Sequence, residues 1–177
     1  MNNSEDNKAE NKEAEIPNQR LRVDNARGFA EVYEIVKDTV KRHLGKYRVG
    51  MMLYLDDLPL QVGAYHPVGT NSIVMNRTLL NLVGVATTSK QVSNAFIYTI
   101  LLHEYLHALG YLSEQVVRPL VYEVSVNSFG EDHIATRLSQ LGPWSLLKDL
   151  PLDQIEAPKR VMEIVKNFER SSQSYIS

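Results

Sequence analysis

With 177 residues, a formal net charge of −2 and no cysteine, the chain suits one domain with its own hydrophobic core and is too short for two. The missing cysteines exclude disulfides, thiolate-held zinc and thiol catalysis, and point to a reducing cytoplasm. The charge offers no broad basic field for nucleic acid, and no signal-peptide core or run of about twenty apolar residues suggests export or a membrane span.

Residues 1–19 are rich in Asn, Glu and Lys with little to bury, which predicts a disordered polar tail ahead of a domain over 20–170. From Asp24, the apolar positions Phe29, Val32, Tyr33, Val36 and Val40 recur at helical spacing, and Gly45 follows as a C-cap. Tyr47 to Leu55, Gln61 to His66 and Ser72 to Met75 read as strands, separated by the turn signals Asp56-Asp57-Leu58-Pro59 and Pro67-Val68-Gly69-Thr70-Asn71. Asn76 caps a short helix, and a long apolar helix runs from about Ser89 to Leu109, stopped by Gly110. The next helix starts at Glu114 or at Pro119 and reaches Phe129; a short one spans Ile134 to Leu141, capped by Asp132 or Glu131. A last amphipathic helix is expected over Ile155–Phe168, before a short tail at 171–177. The fold class is α+β, a small twisted sheet packed on a long helix and further helices.

The long helix carries His103-Glu104-Tyr105-Leu106-His107. Residues four apart share a helix face about 6 Å apart along the axis, so His103 and His107 can hold one metal ion, with Glu104 beside the open coordination position. The preceding residues, Ala95 to Leu102, are apolar nearly all round, which marks a buried helix. Burying two imidazoles and a carboxylate there costs several kcal/mol unless partners or a metal satisfy them. The chemistry that this set suits is hydrolysis of a carbonyl by a metal-bound water, with Glu104 as general base.

On that motif, residues 47–133 resemble the zincin metallopeptidases, and among them a minimal gluzincin. The resemblance implies a peptidase with one Zn2+ per chain and a peptide or protein substrate, held by strand addition along Val62–His66 or Ile73–Met75. From charge and hydropathy no nucleic-acid or membrane partner is expected, and the oligomeric state stays open. A metzincin would need a histidine or aspartate at position 113, where Ser113 stands. A gluzincin takes a glutamate from the following helix, with an aspartate or asparagine one turn later. Glu123 and Asn127 match that pattern.

If that helix starts at Pro119, Glu123 sits about one turn in and level with His107; if it starts at Glu114, Glu123 lies about 13 Å along and the match weakens. The alternative third ligand is His133, in a turn that resembles that of SprT-like zincins, with Glu114 or no third ligand behind both. If Glu123 ligates, His133 could instead donate to the oxyanion. Two other functions fit the same residues: a zinc-holding interaction module that cuts nothing, and a latent peptidase whose tail at 171–177 plugs its own cleft.

Overall fold

The apolar run ahead of the two histidines forms the middle of a helix covered on almost every side. In the computed structural model, which describes residues 3–169, this is α4 (Lys90–Ala108), with Ser89 as N-cap and Phe96, Tyr98, Leu101, Leu102, Tyr105 and Leu106 buried. Helices α1 (Asn3–Asn25), α2 (Phe29–Leu44), α5 (Glu114–Phe129) and α6 (Ile134–Leu141) pack around it. Against the same core lies a sheet of β1 (Met52–Asp56), β2 (Ala64–Tyr65), β3 (Ser72–Asn76) and β4 (Glu163–Ile164). The chain is therefore one α+β domain.

The sheet order is β2-β3-β1-β4, with β1 and β3 parallel and the outer pairs antiparallel. Leu53, Ile73 and Met75 point into the core. Because β3 is paired on both sides, only β2 leaves a free edge at that end of the sheet. Asn76 ends β3 and caps α3 (Arg77–Ala86), accepting from Thr78 N–H at 3.0 Å. Its amide also donates to the carbonyls of Leu58, Pro59 and Val62, which fixes the loop that leads into β2.

Two expectations fail here. The segment expected to be a tail is helical from Asn3, because α1 packs across the bundle: Val23 and Gln19 are buried, Arg22 pairs with Asp38 at 2.7 Å, and Glu15 pairs with Arg42. The helix expected over Ile155–Phe168 does not form. After two short 3-10 turns the chain runs extended and pairs with the open side of β1, Val165 N–H donating to Leu53 O at 2.8 Å. Unpaired strand groups outbid the helical spacing of Val161, Ile164, Val165 and Phe168; Val161 and Ile164 end up exposed, while Phe168 stacks on Tyr33 with ring centroids 4.2 Å apart. Of the two starts open for α5, the helix takes Glu114 and runs through Pro119. The tail at 171–177, and the plug considered for it, lie outside the described residues. Among the described residues, no helix is long and apolar enough to cross a membrane.

Candidate active site

Four residues apart on α4, His103 and His107 bring their Nε2 atoms to 3.2 Å of each other. The chain then turns sharply. Gly110, with φ +99°, takes a backbone conformation that L side chains rarely adopt, and the N–H groups of Gly110 and Tyr111 close onto His107 O and Leu106 O. This reversal brings Tyr111 O to 2.8 Å from His107 Nδ1 and starts α5 beside the histidines. Glu114, in the first turn of α5 where a carboxylate complements the helix dipole, sets Oε1 3.1 Å from His103 Nε2 and 2.8 Å from His107 Nε2.

The donor set fits a metal. Tyr111 O can only accept, so His107 Nδ1 carries the proton, and in the neutral ring Nε2 presents its lone pair to the cluster. Burial holds His103 toward its neutral form as well, against the opposing pull of Glu114. His107 Nε2 and Glu114 Oε1 lie 2.8 Å apart, close enough for one cation to be held by both. Tetrahedral zinc with bonds of about 2.0 Å spaces its ligand atoms about 3.3 Å apart. The observed 2.8, 3.1 and 3.2 Å are a slightly contracted version of that triangle.

Glu104 is 6% exposed and lines the same cleft as His103 and Glu114. Burial pushes its carboxyl up to about 7, with nearby Glu114 adding to the rise; His107 and the His66 backbone N–H oppose it. A carboxyl in that range can both take and return a proton near neutral pH. The cleft, about 740 Å³ in volume, is lined by His103, the segment Gln61–Ala64, and the wall formed by α6 and Pro143-Trp144.

The sequence-predicted third ligands lie elsewhere. Because α5 starts at Glu114, Glu123 is nine residues further on, about 13 Å along the helix; it is exposed, and its carbonyl accepts from Asn127 Nδ2 at 2.8 Å. Neither joins the histidines; the carboxylate that reaches them is Glu114. His133 is not in the cluster either. It is the N-cap of α6, accepting from Ala135 N–H at Nδ1 and reaching Asp24 Oδ1 with Nε2 at 3.1 Å, its ring against Phe129. That binds it into the fold and removes both roles considered for it. Tyr105 is also structural: its hydroxyl contacts the backbone N–H and O of Arg48 at 2.6 and 3.1 Å.

Sequence reasoning ranked Glu114 last, although Ser113, a residue type favoured at N-caps, was the available signal that the helix starts there. It missed Arg48, whose guanidinium ties Ala108 O at the end of α4 to Thr70 O in the β2–β3 turn, at 2.7 and 2.9 Å. Comparison of the chain with protein-family models, curated proteins and solved structures finds no match to any of them.

Proposed function

We propose that the chain is a zinc-dependent peptidase that acts in the cytoplasm, with His103, His107 and Glu114 holding one Zn2+ and Glu104 as general base. The observation that carries the proposal is the convergence of three ligand atoms on one point, beside a buried carboxylate and at the head of a cleft. A zinc ion so held would supply Lewis acidity and a water of lowered pKa. Glu104 takes the proton of the attacking water and returns it to the leaving amine. The free edge of β2 suits an extended peptide held by backbone hydrogen bonds, which the doubly paired β3 could not supply. His107 is oriented for its role by Tyr111 O.

Against a purely structural zinc site stands the ligand count. Among the described residues only His103, His107 and Glu114 form such a group, whereas structural sites close with four protein ligands. The test is cleavage of a mixed peptide library by zinc-loaded parent and Glu104→Gln proteins, read by mass spectrometry. Cleavage by the parent and its near loss in the variant are expected; equal cleavage by both, or a zinc-loaded parent that cuts nothing, would reject the proposal.

A further inference from the structure

Three turns meet beside the C-terminal end of α4, and Arg48 joins them. From the turn after α2, its guanidinium donates to Ala108 O at the end of α4 and to Thr70 O and Asn71 Oδ1 in the β2–β3 turn. Lys46 sets its Nζ 4.4 Å from the ring centroid of Tyr111, in the turn before α5. Each turn reverses on glycine in the left-handed region, at Gly45 and Gly50, at Gly69 and at Gly110, and a Cβ at any of them would meet no atom within 4 Å. The turns thus project into open space.

They carry apolar side chains. Tyr47 is 63% exposed, Val49 55%, Val68 75% and Leu112 63%. Single exposed aliphatic groups are ordinary, but four gathered on adjoining turns form a patch that marks an interaction surface.

The charge around the patch has one sign. Residues 39–55 carry Lys41, Arg42, Lys46 and Arg48 and no carboxylate, while residues 58–76 and 105–113 contain no Asp, Glu, Lys or Arg. Lys41 stands over the Tyr47 ring at 5.2 Å. Exposed Lys166 follows Val165, whose N–H pairs with Leu53 O, and so lies beside the start of β1. The carboxylates next along the chain are engaged elsewhere, Asp38 by Arg22, and Glu34 and Glu169 by Lys37; Glu114 is close by but faces the histidines. A net charge of −2 conceals this local field because it averages over the whole chain.

We propose that this end of the domain docks on an anionic lipid surface, with Tyr47, Val49, Val68 and Leu112 entering the headgroup layer and Lys41, Lys46 and Lys166 meeting lipid phosphates. Apolar groups on separate turns suit a fluid layer, which closes around each of them, better than a rigid partner, which would need a pocket for each. Lysine suits such a rim because its stem lies along apolar surface while its ammonium stays at the phosphates. Docking needs neither a membrane span nor zinc. Because Tyr111 O also binds His107, it would set the metal corner close to the lipid.

The test is sedimentation of the full chain with vesicles of phosphatidylcholine alone or with about 30% phosphatidylserine. Binding to the mixed vesicles should be at least about tenfold tighter than to phosphatidylcholine, and weaker in about 0.5 M salt. Lys41→Ala with Lys46→Ala should weaken it about twenty-five-fold, at roughly fivefold per lysine. Val68→Ser with Leu112→Ser, at exposed positions, should weaken it at least about tenfold, with circular dichroism confirming the fold. Equal binding to both vesicle types, binding to neither, or parent-like binding by both double variants would overturn the inference. Without vesicle binding, retention on immobilised polyglutamate would assign the face to an acidic protein, and a dimer by light scattering that Val68→Ser with Leu112→Ser dissolves would assign it to a second copy; either result also overturns it.

Discussion

Two polar corners of this domain are built from similar residue types and end in opposite states. At the Asp57 corner, one carboxylate, 1% exposed at its side chain, is met by the Arg77 and Arg160 guanidinium groups and the Thr78 hydroxyl. The Arg160 and Arg77 hydrogen bonds hold its carboxyl well below the usual range. Asn76 beside it is equally well supplied, with backbone N–H groups on Oδ1 and carbonyls on Nδ2. At the His103–His107–Glu114 corner, three potential metal-ligand atoms converge on one another instead. Protein groups alone saturate the first corner, which is what a structural cluster needs. On the proposed reading, the second would be completed by a cation from outside the chain, which is what a functional site needs.

The sharpest way to break this contrast is at Glu104, which the cation corner would use for chemistry and not for ligation. Glu104→Gln should lower peptide cleavage by about a thousandfold while zinc content, measured by mass spectrometry, stays unchanged. Next comes the carboxylate that closes the triangle. Glu114→Ala should weaken zinc binding by more than about a hundredfold, read by competition with a chelating dye, since even outer-shell partners of a metal are worth 10–100-fold.

The Asp57 corner should respond in stability alone. Asp57→Asn should cost about 2 kcal/mol in urea unfolding and leave zinc affinity as it was. A carboxyl held low in the fold contributes stability above its unfolded pKa of about 3.9 and loses that contribution as pH falls through the folded value. The parent should therefore lose stability more steeply than Asp57→Asn between about pH 5 and 3. Parallel acid profiles would remove Asp57 from the account. The smallest effect is expected at the turn between ligands: Gly110→Ala meets no atom within 4 Å, so only its φ of +99° is strained. It should cost about 1–2 kcal/mol and weaken zinc binding modestly by shifting Tyr111 O and Glu114.

These corners also differ in how far the sequence displays them. Both imidazoles and Glu104 are visible because a helix converts spacing directly into a shared face, and the Gly110 stop and the Asn76 cap are visible because each has a local cause. The third ligand depends on where α5 starts. Pro119 suits a first turn, yet here it lies inside the helix, with Glu114 ahead of it; one turn of difference exchanges Glu123 for Glu114. Asp57 reads as part of a turn, since Arg77 and Arg160 reach it from 20 and 103 residues away. The C-terminal strand was hidden for a related reason: Val161, Ile164, Val165 and Phe168 keep helical spacing, and only the open edge of β1 shows why they do not use it.

The central claim is that Glu114 completes the metal site. Zinc stoichiometry of folded parent, Glu114→Ala, Glu123→Ala and His133→Ala proteins, by native mass spectrometry after equilibration with zinc, tests it most directly. The account predicts one zinc per chain in the parent, in Glu123→Ala and in His133→Ala, and loss in Glu114→Ala. Full occupancy in Glu114→Ala, or loss in Glu123→Ala, would contradict it.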